Sequence, residues 1–232
     1  MHHLWTKSLG YLIHPKIPIE KENLRVADIG SGTGIWLIDA SEILPKSAQL
    51  HGLDISFDAT PAVGVLPANM TLRHWNVKDP VPEDLIGVFD IIQVRFFVFV
   101  LLREEVPAVV EKLGKSFLAL ESQPETANIL ELMNRFKSQD PRLNATWIPD
   151  LPQIFSDQGL VAVEGNTHET PAHWAFLMHE CGLIMHELVA RQTGNEKMAE
   201  EVRELLPRVL SDTREEVHII VTKHAVIGRK PG

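Results

Sequence analysis

Three glycines at alternate positions, Gly30, Gly32 and Gly34, follow the apolar run of "RVADIGSGTGIWLIDA" and precede a second one. That order predicts a strand, a sharp turn and the start of a helix. Glycine admits left-handed backbone and lets a ligand approach with no Cβ in the way, and the helix start behind it offers unpaired N–H groups. A dinucleotide is cradled there by a G-x-G-x-x-G turn. Here the spacing is G-x-G-x-G, and Asp28 stands two residues before the first glycine. Its negative charge opposes a diphosphate and suits an ammonium group, which points to the cationic nucleotide S-adenosylmethionine ahead of NAD(P). Asp54, in "GLDIS" about 20 residues beyond the turn, is placed to accept ribose hydroxyls, a feature both ligand classes share.

"HECGLIMHE" invites a zinc reading, but His179 and His186 are seven residues apart. That is about 10 Å along a helix axis, too far to share one ion, so no metal is expected. His179 is a candidate general base toward an acceptor hydroxyl, because imidazole titrates near neutrality; a packed, half-buried histidine is the commoner outcome. "FFVFVLL" is expected in the core, since strands of a parallel sheet are buried on both faces, and Phe97 is kept as a pocket candidate. The acidic stretch from 196 to 216 reads as a solvated helix face.

These residues need an α/β frame to hold them. "LRVADIG", "QLHGLDIS", "MTLRHWNV" and "VFDIIQVRF" read as buried strands separated by helical spacing, the pattern of βαβ units. "GKSFLALES", "VAVEGNTHE" and part of "VHIIVTKHAVIGRK" supply a fifth, a sixth and a last strand. Helices are predicted over "GIWLIDASEIL", "REEVPAVVEKL", "PETANILELMNRFKSQ" and "LPQIFSDQGL", then over "PAHWAFLMHECGLIMHELVARQ" and "EKMAEEVRELLPRVLSDTREE". With 232 residues, 44% of them apolar, the chain can bury a full core, and one domain is expected over 1–232. Its parts would be an N-terminal lid segment (1–23), a cofactor-binding half (24–123) and a substrate-side half (124–232) with a helical cover (171–215).

Composition narrows the partners. A net charge of −9 with scattered basic residues argues against nucleic acid. The longest apolar runs are interrupted by Gln93 and Arg95 and fall short of a membrane span, and "MHHLWTKSLG" lacks the apolar core of a signal peptide. The single cysteine, Cys181, suits a reducing compartment. A cytoplasmic protein is expected, with the nucleus as a second location.

"VADIGSGTGIW", "GLDIS", "RHWNVKDPVPEDLIGVFDIIQVR", "TWIPDLPQIFSDQGL", "MHECGLIMHELVARQTGNEKMAEE" and "VIGRK" together resemble the fungal class I S-adenosylmethionine-dependent methyltransferases of secondary-metabolite clusters, relatives of the velvet-associated regulator of mould metabolism. The resemblance implies a Rossmann-like, mostly parallel seven-stranded sheet with helices on both faces and a helical cover. It implies a cofactor set of Asp28, Gly30, Ser31, Gly32, Gly34, Asp54, Ile55, Asn76, Val77 and Arg95, with Asn76 and Val77 flanking adenine and Arg95 where sulfonium and acceptor meet. Trp5, Phe97, Trp174 and His179 become substrate-pocket candidates.

The sequence departs from that family in two places. The family carries a longer segment ahead of "HHLWTK", so an incomplete lid is expected. It also reaches the fifth strand through a Leu-Lys-Pro-Gly-Gly turn, where this chain has "EKLGKSFLALESQPE". Both departures bear on turnover more than on cofactor binding. The expected activity is O- or N-methylation of a small, largely apolar secondary metabolite, and a protein partner or homodimer stays open. The alternatives are a cofactor-binding relative without methyl transfer, used as a cyclase or regulatory subunit, and an NAD(P)-dependent oxidoreductase.

Overall fold

The computed structural model describes residues 2–113, 116–123, 127–192, 196–214 and 220–231. In chain order the first half holds α1 (His2–Leu9), β1 (Arg25–Ile29), α2 (Ile35–Ile43), β2 (Gln49–Asp54), β3 (Met70–His74), β4 (Ile91–Val94) and α3 (Val106–Leu113). The second half holds β5 (Ser116–Gln123), α4 (Ala127–Ser138), α5 (Leu151–Asp157), β6 (Val161–Glu169), α6 (Ala172–Gln192), α7 (Glu196–Arg214) and β7 (Ile220–Arg229).

The first four strands form a parallel sheet in the order β3-β2-β1-β4. The order reverses between β1 and β4, so the C-terminal ends of these two strands flank the crevice in which α/β sheets receive ligands. Side chains alternate across a strand. Val26 therefore packs with Trp36 and Ala40 of α2, while Ala27 and Ile29 join Val94, Val109 of α3 and Phe155 of α5 on the opposite face. Asp28 is thereby placed on the α2 face, among residues that would otherwise be apolar.

The remaining strands form an antiparallel sheet in the order β5-β7-β6. One continuous seven-stranded sheet was the expectation; the hydrogen-bonded ladder is instead divided between β4 and β5, which lie side by side. β4 has only four residues, and just beyond it Phe96, at φ +63°, turns the chain into a 3-10 turn at Phe97–Phe99. Little edge is left there for β5, which pairs along its whole length with β7.

The N-terminal segment, expected as a lid, begins as a helix whose Trp5 is fully buried. Trp5 and Leu9 pack on Met178 of α6 and Ala225 of β7. α6 and α7 form as expected and share an apolar cluster with α4 through Ile129, Leu132, Leu183, Val202 and Leu205. On α7, Glu200 and Glu204 face solvent, as the acidic run predicted. Both flanks of the fifth strand, at 114–115 and 124–126, lie outside the described residues, as do 193–195 and 215 of the expected cover and 217–219 of the expected last strand. Among the described residues no helix is long and apolar enough to cross a membrane.

Candidate functional site

The turn after β1 closes on its own backbone. Gly30 N donates to Leu53 O at 2.7 Å, Gly34 N to Ser31 O at 2.8 Å, and Ile38 N to Gly34 O at 3.0 Å. Gly30, Gly32 and Gly34 all have positive φ (70°, 54° and 72°), the left-handed region that glycine enters without steric cost. Their surroundings differ. A Cβ on Gly30 would lie 2.4 Å from Phe97 Cε2 and one on Gly34 would lie 2.9 Å from Met70 Cε, whereas one on Gly32 would meet nothing within 4 Å. Gly30 and Gly34 thus serve close packing, and Gly32 presents open backbone to a ligand.

Asp54, at the end of β2, holds this turn from the neighbouring strand. Its Oδ2 accepts Gly32 N–H at 2.7 Å, and its Oδ1 accepts the amides of Ile55 (2.7 Å) and Ser56 (3.2 Å). Thr60 Oγ1 donates to Gly32 O at 2.5 Å and ties the following loop to the same residue. A phosphate-binding turn aims its free amides at the ligand. Here the Gly32 amide already faces a carboxylate, so the turn is built against a phosphate. Asp54 keeps lone-pair capacity for a hydroxyl donor.

Asp28 is 4% exposed, and among the described residues no side chain hydrogen-bonds its carboxylate. Burial raises its pKa to about 7; Arg95 opposes the rise and Asp54 adds to it. Arg95, just past β4, is itself held down by burial, and its Nη2 donates to His2 Nδ1 at 2.6 Å. The His2 ring is then the Nε2–H tautomer, donating to Asp39 Oδ2 at 2.9 Å. Burial outweighs the Asp39 hydrogen bond and lowers the His2 pKa. His2, His3 and Asp39 are grouped closely enough for a metal, but Arg95 occupies one His2 nitrogen and the proton required by that contact sits on the other.

A cavity opens beneath the N-terminal segment, between the β4 and β7 faces, and Trp5, Leu9, Tyr11, Trp36, Gln93 and Arg95 contribute to its wall. Its empty space, open mouth included, is ≈ 410 Å³. Arg95 belongs to this wall, and its charge also acts on Asp28.

Asp28, the three glycines, Asp54, Ile55 and Arg95 meet at the C-terminal ends of β1, β2 and β4. Asn76 is one step away: Trp75 N donates to Asp54 O, while the Asn76 side chain accepts the Lys78 amide at 3.0 Å. Ile55 is 62% exposed at the lip. Ser31 is buried, and its Oγ has no partner among the described residues.

Of the expected site residues, Phe97 and His179 need correction, and Val77 and Trp174 are placed as follows. Val77 is 5% exposed and joins the core cluster that holds Trp75, and its carbonyl accepts Lys112 Nζ at 3.4 Å. Phe97 is 5% exposed and fills the space over Gly30, a core position where a pocket wall was the alternative. His179 is 1% exposed on α6, and its Nε2 lies 2.8 Å from Thr213 Oγ1 on α7. That hydroxyl donates to Val209 O, so it accepts a hydrogen bond from His179 Nε2–H, and the imidazole joins two helices and is not part of the cavity wall. Trp174 is half-buried, under Lys7 Nζ at 5.7 Å from its ring centroid, and lies outside the cavity wall.

Sequence reasoning did not single out Thr60, His2, Tyr11 or Lys223. Lys223 is fully buried on β7, donating to Ser8 Oγ and, at 2.9 Å, to Thr170 Oγ1, with its pKa lowered to about 8 by burial. A lone lysine inside the apolar run "VHIIVTKHAV" was its one sequence signal. Thr60 and His2 had none, since their partners are 28 and 93 residues away.

The chain is 35% identical over 98 residues to the N-methyltransferase tcpN of Claviceps purpurea, 41% of this chain and 35% of that protein. It is 35% identical over 97 residues to the N-methyltransferase gliN of Aspergillus fumigatus, 42% of this chain and 33% of that protein. Against the secondary metabolism regulator LAE1 of Gibberella fujikuroi it is 31% identical over 78 residues, 34% and 24% of the two chains. The chain therefore matches about a third or less of these curated relatives' own length. No protein-family model matches it. Among solved structures, phosphoethanolamine N-methyltransferase 2 of Haemonchus contortus in complex with S-adenosyl-L-methionine superposes with a TM-score of 0.55 at 16% identity, covering 98% of this chain and 53% of that one. A SAM-dependent methyltransferase from Thiobacillus denitrificans in complex with S-adenosyl-L-homocysteine gives 0.52 at 17% identity, covering 98% and 91%. The fold is that of the class I S-adenosylmethionine-dependent methyltransferases.

Proposed function

We propose that this chain binds S-adenosylmethionine at the crevice between β1 and β4 and transfers its methyl group to the oxygen or nitrogen of a small, largely apolar metabolite. The observation that carries this reading is the pairing of Gly32 N–H with the Asp54 carboxylate, beside a buried Asp28 that takes no side-chain hydrogen bond among the described residues. Two carboxylates flanking the turn repel a pyrophosphate and favour a ligand with a cationic group and hydroxyls, which disfavours NAD(P). Similarity to proteins named N-methyltransferases supports the same reading.

In this reading Asp28 receives the ammonium group, Asp54 the ribose, and the open backbone at Gly32 the chain between them. Ile55 offers an exposed apolar surface for the base. When bound, the cofactor supplies a methyl group already activated by a positive sulfur, and alignment with exclusion of water can provide most of the catalysis. The protein's share falls to the buried walls around Arg95 and to α1 above them.

Calorimetric titration with S-adenosylmethionine, S-adenosylhomocysteine and NAD tests the cofactor; the first two should bind and NAD should not. Failure of both sulfur nucleotides at millimolar concentration overturns the proposal. Incubation with methyl-tritiated cofactor and a fungal extract tests transfer. Normal cofactor binding with no labelled small molecule would favour a binding-only role; similarity to LAE1, named a secondary metabolism regulator, supports only that such a role would be regulatory. We place the protein in the cytosol or nucleus, to be checked by fluorescent fusion.

A further inference from the structure

Arg95 feels two carboxylates, Asp28 on β1 and Asp39 on α2. Gln93 lies opposite Asp28 in the β1–β4 register and Arg95 follows two positions on, so Asp28 and Arg95 issue from one face of the sheet. At the usual strand spacing and rise their Cα atoms are roughly 8 Å apart, a gap that an arginine side chain can span. Even so, among the described residues no side chain hydrogen-bonds the Asp28 carboxylate. The guanidinium is turned to α1 instead: Arg95 Nη2 donates to His2 Nδ1 at 2.6 Å, and His2 Nε2–H donates to Asp39 Oδ2 at 2.9 Å. A neutral imidazole accepts on one nitrogen and donates on the other, so this arrangement requires the uncharged ring. The charged or titratable groups acting on His2 are Asp39, Arg95 and His3, and those acting on Asp28 are Arg95 and Asp54.

We propose that His2 is a positioning residue: by holding the Arg95 guanidinium on the Asp39 side it keeps Arg95 from pairing with Asp28, and so leaves that carboxylate for the cationic end of a ligand. The consequence for binding rests on the reading of Asp28 as the ammonium partner; the placement of Arg95 does not. A buried carboxylate with a guanidinium in reach gains by pairing with it, because charge-assisted hydrogen bonds are the strong ones. A ligand ammonium would then have to displace the guanidinium before binding. His2 removes that competition by giving Arg95 another acceptor, one strengthened by the Asp39 bond at its second nitrogen.

S-adenosylhomocysteine and 5′-methylthioadenosine, which has the same nucleoside and a sulfur but no ammonium, are titrated into the parent, His2→Ala and His2→Gln proteins. His2→Ala should bind S-adenosylhomocysteine roughly tenfold more weakly, the low end for a hydrogen bond to a charged group, and 5′-methylthioadenosine unchanged. His2→Gln, whose amide can accept from Arg95 and donate to Asp39, should recover most of the loss. In an Arg95→Gln background His2→Ala should cost nothing further, since no guanidinium is left to compete. Without ligand, the raised Asp28 pKa makes parent stability fall as pH rises between about 4 and 7. An Arg95–Asp28 pair favours the carboxylate, so that fall should shrink in His2→Ala. Loss of the His2 titration by itself would steepen it, because a buried neutral imidazole adds stability as pH rises toward 6.5. Equal losses for the two ligands, a loss that persists in the Arg95→Gln background, or an unreduced fall in ligand-free His2→Ala would overturn the assignment. If S-adenosylhomocysteine fails to bind the parent while the fall shrinks, the cofactor reading fails and the placement of Arg95 stands. If it binds parent and His2→Ala equally, this inference fails and the cofactor reading survives.

Discussion

The Asp54 carboxylate and the Gly32 amide, 2.7 Å apart, join the end of β2 to the turn after β1. The same carboxylate accepts two amides of its own strand end, so it shapes the turn before any ligand arrives. Asp54→Ala should therefore weaken S-adenosylhomocysteine binding by about 1.5–3 kcal/mol, the scale of hydrogen bonds to a charged group, and also lower the ligand-free melting temperature. Calorimetry and thermal unfolding on one preparation check both halves. Full affinity in Asp54→Ala would remove Asp54 from the site.

Gly30 and Gly32 should separate packing from binding. Gly30→Ala places a Cβ against Phe97 and strains a positive φ, so it should cost about 1–3 kcal/mol of stability or more, partly relieved by Phe97→Leu. Gly32→Ala meets open space and should cost about 1 kcal/mol, yet lose cofactor affinity because the added methyl projects where the ligand lies. Denaturant unfolding with ligand titration distinguishes them; equal affinity losses in folded protein would contradict the assignment.

Asp28 predicts the pH dependence. Its folded pKa is raised from 3.8 to about 7, chiefly by burial. Below pH 4 it is protonated in both folded and unfolded chains. Between about pH 4 and 7 the folded state retains a proton that the unfolded state has released, so stability falls as pH rises across that window, by up to about 4 kcal/mol from this group. Above pH 7 its contribution is flat. Asp28→Asn should thus be more stable than the parent at pH 8 while losing cofactor affinity, and parent affinity should rise between pH 6 and 8 as the carboxylate ionises. Melting curves and calorimetry across pH 5–8 test this; a pH-independent affinity would argue against Asp28 as the ammonium partner.

His179 should behave as a packing residue. Its proton goes to Thr213 on the neighbouring helix, so His179→Ala should destabilise the protein by about 1–3 kcal/mol and leave cofactor affinity unchanged. A general base would instead lose turnover by about 10²- to 10⁴-fold with stability intact. Thr213→Val should reproduce the stability loss, and a turnover loss in folded His179→Ala would restore the catalytic reading.

What the sequence by itself determined is local. A glycine turn states its backbone requirement in its own residues, and the strand and helix periods of "LRVADIG", "GIWLIDASEIL" and "VAVEGNTHE" announce β1, α2 and β6, since both depend on neighbours within a few positions. Asp28 and Asp54 were legible because a charge at a strand end beside such a turn has few other uses. What only the tertiary structure decided is which distant groups meet. The Arg95–His2 contact spans 93 residues, Phe97 became the lid on Gly30, Thr60 became its strut, and Thr213 turned His179 from a candidate base into a helix tie. The division of the sheet between β4 and β5 belongs to the same class. A side chain's type fixes what it can bond, but its partner is chosen by packing between elements far apart in the chain, and that choice leaves no periodic trace in the sequence.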